Sequence, residues 1–176
     1  MSTETQAKSL PTASISRAAA AALIDAVRTA AEEIGFAVAT AVTDAGGHLT
    51  AFERSDDAPF LTAEVAVDKA WTAASFRIAT HVWNDYVTDH RISPLAHHPR
   101  LMAVGGGYPI IEDGKVVGGL GISGGTFEQD QQAAEAALNP SASSSRPRCR
   151  SAPSVRKPHR HYRHGRGGPA TISCER

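Results

Sequence analysis

The sequence predicts an α+β domain, an antiparallel sheet with helices packed on it. Three observations favour this class: helical and strand-like segments alternate, the strand-like segments come in pairs joined by short turns, and a helical segment stands at each end of the body. Strands paired through tight turns run antiparallel, and their apolar face must then be covered by helices. The expected order is helix, hairpin, helix, helix, loop, hairpin, helix.

The first elements are an amphipathic helix and a hairpin. Residues 17–34 place apolar side chains three and four positions apart, Ser16 is a suitable N-cap, and a glycine follows the last apolar residue. Residues 36–43 and 48–54 have strand composition, and the turn Asp44-Ala45-Gly46-Gly47 lies between them. These strands are expected to pair.

Helical spacing returns in the middle of the chain. Residues 60–78 form the second predicted helix, with Pro59 at its first turn, and residues 81–88 form a shorter one. Two proline dipeptides then interrupt regular structure, so residues 89–100 are expected to be a polar loop. Polar loops on a rigid scaffold are common places for functional sites.

The last third predicts a second hairpin and a final helix. The predicted strands are residues 101–104, 109–112 and 116–123, with a turn at residues 113–114. The predicted helix is residues 127–138. Thr126 or Ser123 would cap this helix.

A glycine-dense run extends from Gly105 to Gly125 through this hairpin. Glycine at that density inside apolar sequence marks backbone that passes close to other backbone or to a ligand. The P-loop order G-x-x-x-x-G-K-[ST] is absent, so nucleotide binding is unlikely on sequence grounds. We therefore expect close packing, with residues 105–107 forming one wall of a pocket.

The charges divide the chain into two unlike parts. Residues 1–138 hold nine Lys/Arg and seventeen Asp/Glu, whereas residues 139–176 hold nine Lys/Arg, one Glu, five prolines and both cysteines. The second part has too few large apolar side chains for a core and is expected to be a disordered basic tail. Its composition is also typical of a frameshifted end. Nucleic-acid binding by this tail is the weaker alternative.

Nothing in the sequence predicts a membrane protein. No apolar stretch approaches the length of a transmembrane helix, and no signal-peptide pattern is present at the start. The expectation is a cytoplasmic protein without a membrane partner.

Four motifs, in order, carry a family resemblance. They are V-T-D-A-G-G-H-L at residues 42–49, D-K-A-W-T-A-A-S-F at 68–76, G-G-G-Y-P-I at 105–110 and G-L-G-I-S-G-G-T at 119–126, followed by E-Q-D at 128–130. Together they resemble the HbpS/GlcG haem-binding family, which includes the C-terminal domain of PduO-type proteins. The resemblance covers residues 14–138, with a flexible segment 1–13 before it.

The resemblance implies a profilin-like domain with about five antiparallel strands that assembles into a homo-oligomer. It also implies haem binding or haem degradation. Functions within the family vary, so the fold transfers more securely than the activity.

The resemblance places a haem-facing segment at Lys69 and Thr72. The glycine wall expected from the sequence, which includes Gly106 and Gly107, would face this segment. A haem site needs an axial iron ligand and cations near the propionates. Lys69 and Arg100 are the expected propionate cations. The expected iron ligands are among the histidines His81, His90, His97 and His98.

The polar loop allows a second interpretation. His90 and His98 could act as general base, with Arg100 as an oxyanion-binding cation, on a small acidic substrate. Two loop imidazoles and a carboxylate could also bind a divalent metal, although adjacent His97 and His98 point to opposite sides of an extended chain.

Three functions therefore remain open at the level of sequence: a haem-binding or haem-degrading protein, a small-molecule enzyme of a catabolic pathway that uses Lys69 and the loop of residues 90–100, and a non-catalytic oligomeric accessory protein.

Overall fold

The computed structural model describes residues 8–139, and in this part the elements alternate as predicted. They are α1 (Arg17–Ile34), β1 (Ala39–Asp44), β2 (Leu49–Arg54), α2 (Leu61–Phe76), α3 (Trp83–Tyr86), β3 (Gly107–Glu112), β4 (Lys115–Ser123) and α4 (Phe127–Leu138). Single 3-10 turns lie at Thr80–Val82 and Ser93–His97. The expectations for residues 1–7 and for the tail from residue 140 fall outside the described residues, and residues 8–13 carry no helix or strand.

Local sequence sets the ends of the long helices. The Ser16 hydroxyl accepts from the N–H of Ala19 at the start of α1, and Gly35 ends this helix at a φ of 93°. At α4, Thr126 and Gln129 form a capping box, each side chain bonding the other's backbone N–H. Both features satisfy backbone groups that a helix end leaves unpaired. Within residues 8–139 no helix is both long and apolar enough to cross a membrane.

The four strands form one antiparallel sheet in the order β2-β1-β4-β3. The two predicted hairpins, β1–β2 and β3–β4, are joined side by side through β1 and β4. The predicted α+β class is confirmed, with four strands in the described residues instead of about five.

Residues 101–104 are the predicted strand piece that does not form. The N–H of Met102 donates to the hydroxyl of Thr72, and the hydroxyl of Thr80 donates to the carbonyl of Val104. Because these backbone groups bond to side chains of the preceding helical region, they are not available for a strand ladder. The predicted helix 81–88 also shortens to α3 and the 3-10 turn before it.

Helices cover both faces of the sheet. On one face α1 and α4 pack over a core that includes Val42, Leu120 and Ile122. On the other face α2 packs on Ala39 and Ala41 of β1 through small side chains of its own. The large side chains of β1 and β4 therefore face α1 and α4, as the period-two alternation of a strand requires.

Two glycines of β4 allow α2 to approach the sheet closely. A Cβ added to Gly119 would lie 2.1 Å from the carbonyl oxygen of Ala70, and one added to Gly121 would lie 2.0 Å from that of Ala66. No real side-chain carbon fits at such distances from rigid helix backbone. The expectation that the glycine run serves close packing agrees with these contacts.

Gly121→Ala is expected to destabilise the domain by roughly 1–3 kcal/mol or more, because helix backbone must move to admit the methyl group. Gly46→Ala is the matched control: its added Cβ would meet the exposed His48 ring at 3.0 Å, which can turn away. Urea unfolding of both variants measures the difference. Equal midpoints for the two would contradict the packing argument.

Candidate functional site

A groove of about 430 Å³ lies between strand β2 and helix α2. Its walls are mainly apolar, and charged side chains stand among them. The lining residues are Leu49, Phe52, Ala63, Glu64, Val67, Asp68 and Arg100. This volume falls within the range of about 300–1,000 Å³ that is common for small-molecule sites. We call this feature the β2–α2 groove.

Arg100 is the cation of the β2–α2 groove. Its Nε donates to Oδ1 of Asp68 at 3.0 Å, and its guanidinium carbon lies 4.7 Å from the centre of the Trp71 ring. The side chain is 40% exposed, so its charge remains accessible to a ligand. Asp68 and Trp71 are three residues apart on α2 and thus share one face of the helix.

His98 lies beside the same tryptophan. Its ring is parallel to that of Trp71, with an interplanar angle of 4° and 5.7 Å between ring centres. Its Nδ1 is 3.3 Å from the backbone nitrogen of Arg100, which donates to it. A neutral histidine that accepts at Nδ1 carries its proton on Nε2. His98 must therefore give up this weak bond before Nε2 could bind iron.

Lys69, predicted as a ligand-binding cation, is buried in an ion pair. Its Nζ donates to Oδ2 of Asp130 and to the carbonyl of Ile122, both at 2.7 Å, and its side chain is 1% exposed. Burial lowers the pKa of Lys69 and raises that of Asp130, while their mutual attraction opposes both shifts. The sequence expectation had Lys69 facing a ligand, whereas here its ammonium pairs with a carboxylate and is enclosed.

Gly106 and Gly107 were expected on a pocket wall, but both are buried against the same ion pair and its surroundings. A Cβ on Gly106 would lie 2.7 Å from that of Asp130, and one on Gly107 would lie 2.5 Å from Cγ2 of Thr80. Gly106 also has a φ of 107°, which favours glycine. A side chain at either position would collide with these neighbours.

Thr72 is also buried, and its role is to hold the loop that carries Arg100. Its hydroxyl donates to the carbonyl of Arg100 and accepts from the N–H of Met102, both at 3.0 Å. Thr72 therefore contributes to the groove by positioning Arg100 and is not itself offered to a ligand.

His81 lies at the opposite edge of the sheet from the groove. Its ring centre is 5.9 Å from that of Tyr108 on β3, and its Nδ1 is buried without a hydrogen-bond partner among the described residues. Strands β2 and β3 are three strand spacings apart, roughly 14 Å. His81 thus lies on the β3 side of the sheet and the groove on the β2 side. Beside His81, the Tyr108 hydroxyl donates to Glu135 at 2.6 Å, and burial raises its pKa.

The histidines of the polar loop have different neighbours. His90 is 92% exposed and next to Asp89, which is engaged by Arg91, and His97 is exposed at the end of a 3-10 turn. Between residues 8 and 139 no cluster of three or more His, Cys, Asp or Glu side chains could hold a metal ion. Of the acid–base set expected from the sequence, His98 and Arg100 are in contact, while His90 lies beside Asp89.

Sequence reasoning missed three residues of functional interest: Asp68, Trp71 and Asp130. The first two had a usable signal, since a carboxylate and an aromatic ring at i and i+3 share a helix face. Asp130 is 61 positions from Lys69, and only the general need of a buried lysine for a carboxylate indicates that such a partner exists.

Comparison with known proteins identifies relatives across the whole described domain. The family described as haem degrading protein HbpS-like matches residues 15–139. An uncharacterized 15.0 kDa protein from the dhaT-dhaS intergenic region of Citrobacter freundii is 39% identical over 135 residues, covering 75% of this chain and 95% of that protein.

Solved structures agree in fold. Protein ORFY of Klebsiella pneumoniae has a TM-score of 0.72 at 35% identity, covering 76% of this chain and 94% of its own. A PduOC:heme complex has a TM-score of 0.67 at 34% identity, covering 71% and 93% respectively. The fold is thus that of a known class of small α+β domains. The chain belongs to the HbpS-like family, and the resemblance drawn from the four motifs is confirmed.

Lys69→Met is expected to destabilise the domain by roughly 3–5 kcal/mol at pH 7, because Asp130 remains as an unpaired buried carboxylate. Without its cation, the Asp130 pKa rises further in the folded state, and the variant gains stability as the pH falls through that pKa toward the unfolded value of about 4. The deficit relative to wild type should therefore shrink in acid.

The matched control is Lys115→Met, which removes an exposed lysine from β4. Urea unfolding at pH 7 and pH 5 compares both variants with wild type. A Lys69→Met deficit that is small, or that is the same at both pH values, would argue against a structural role for the pair.

Proposed function

We propose that this chain binds haem in the β2–α2 groove. The observation that carries the proposal is the groove itself, which combines apolar walls with one accessible cation, Arg100. A haem needs apolar contact for its macrocycle and cations for its propionates. Family membership and the haem complex of the similar PduOC structure support the same ligand.

The residues around the groove fit the parts of a haem. Leu49, Phe52 and Val67 would contact the macrocycle, and Arg100 would face a propionate. His98 accepts a bond from the backbone nitrogen of Arg100, and its imidazole would bind the haem iron after releasing this Nδ1 contact. Bound haem supplies an iron centre capable of redox and ligand-binding chemistry.

The catabolic enzyme expected as an alternative has less support. It relied on Lys69 as an accessible base or cation and on the loop histidines as acid–base groups. Lys69 is buried with Asp130, and His90 and His97 are exposed side chains.

We also propose that the chain self-associates. Phe60 and Leu61 at the start of α2 are 85% and 58% exposed, which is unusual for side chains of this size placed side by side. Phe60→Ser is expected to lower the mass measured by light scattering, with Leu95→Ser as a control at another exposed apolar position. A monomeric wild-type protein at tens of micromolar would contradict self-association.

Haem binding is tested by hemin titration followed in the Soret region. Leu49→Asp should weaken binding at least about ten-fold, since it removes an apolar wall contact and adds charge that repels propionates. Ile111→Asp is the matched control, because Ile111 is exposed to a similar degree, 59% against 53%, but lies on β3 at the far edge of the sheet.

A second arm of the titration concerns the axial ligand. His98→Ala should shift the Soret maximum while His90→Ala and His81→Ala leave it in place. Equal loss of binding in Leu49→Asp and Ile111→Asp would place haem elsewhere, and no spectral change with wild-type protein would refute haem binding altogether.

A further inference from the structure

The guanidinium of Arg100 is held from two directions. Asp68 bonds its Nε at 3.0 Å, and the Trp71 ring lies beneath the group at 4.7 Å. Its two terminal nitrogens make no hydrogen bond to any residue in the described part of the chain. An arginine anchored at Nε presents its Nη1 and Nη2 edge outward, and that edge matches the two oxygens of a carboxylate.

The loop that carries Arg100 is fixed as well. Thr72 accepts from Met102 and donates to the carbonyl of Arg100, so the backbone on both sides of position 101 is tied to α2. Asp68, Trp71 and Thr72 all belong to α2, which is the helix that walls the groove. The cation is therefore held at a set position relative to the apolar wall before any ligand arrives.

We propose that Asp68 is a positioning residue that orients Arg100 and so makes the groove selective for apolar ligands bearing a carboxylate. This inference rests on the proposed function, since it concerns the ligand class of the same groove. The positioning role and a simple charge effect predict different results. Asp68 lowers the local positive potential, so by charge alone its removal should strengthen the binding of an anion. If Asp68 instead orients Arg100, any variant that loses the contact to Nε should bind an anion more weakly.

The test uses metal-free protoporphyrin IX and its dimethyl ester, so that neither iron ligation nor macrocycle shape differs between the two probes. Dissociation constants come from the porphyrin fluorescence, with the full chain and identical detergent. Wild type should bind the free diacid at least about ten-fold more tightly than the ester, because one arginine–carboxylate contact in a partly exposed site contributes that much. Arg100→Lys, which keeps the charge but lacks the fork, should reduce this preference.

Three further variants separate orientation from charge. Asp68→Asn keeps an oxygen that accepts from Nε and should retain the preference for the diacid. Asp68→Ala loses that oxygen and should reduce the preference at least about three-fold. Glu64→Gln is the charge control, since it removes one negative charge from the groove without a hydrogen bond to Arg100. Circular dichroism verifies that each variant is folded.

The outcomes distinguish the inference from the proposed function. Equal binding of diacid and ester by wild type would overturn selectivity while leaving groove binding intact. Tighter diacid binding by Asp68→Ala than by wild type would show that Asp68 competes with the ligand and would overturn the positioning role. If wild type binds hemin but neither porphyrin, this inference fails while haem binding stands; if it binds none of the three, the proposed function fails as well.

Discussion

The close approach of helix α2 to strand β4 is the constraint on which the rest of this structure depends. Gly119 and Gly121 leave no side chain between the strand and the helix backbone at Ala66 and Ala70. At the points of closest contact only small side chains fit, and Ala66 and Ala70 of α2 accordingly pack on Ala39 and Ala41 of β1. Glycine in the interior of a strand lowers stability, and the dense van der Waals contact between the backbones of α2 and β4 offsets this cost.

The same approach determines the surroundings of Lys69. Because α2 lies against the sheet, this lysine points into the interior and cannot reach water, so its charge requires a partner inside the protein. Asp130 at the first turn of α4 provides that partner, and the carbonyl of Ile122 takes a second hydrogen bond. Removing one partner of a buried ion pair lowers stability strongly, because it leaves the other charge buried and unpaired. The pair therefore fixes the positions of α2, β4 and α4 relative to one another.

The outer face of α2 carries the features that support ligand binding. Asp68 and Trp71 hold Arg100, while Thr72 holds the backbone beside it. The groove is thus built from one helix, one edge strand and one strapped loop. A rigid helix with a tethered cation is a good support for a site, because the side chains need little reordering when a ligand binds.

Much of the fold could be predicted because its signals are local. The serine and threonine caps, the glycine after α1 and the two hairpin turns act within a few residues, and their elements appear close to the expected bounds. The strand predicted at residues 101–104 failed because Thr72 and Thr80, more than twenty residues earlier, take its backbone bonds. No local pattern in residues 101–104 reports that competition.

The candidate site, like the fold, could be predicted only in part from the sequence. The family motifs correctly marked α2 and the glycine strand as important, but they did not separate residues that face a groove from residues that pack. Sequence alone determined the fold class, the capped ends of α1 and α4, the hairpins and the family of this protein. Only the tertiary structure decided that Lys69 is an interior charge and that Arg100 is the accessible one, because burial depends on how closely α2 approaches the sheet.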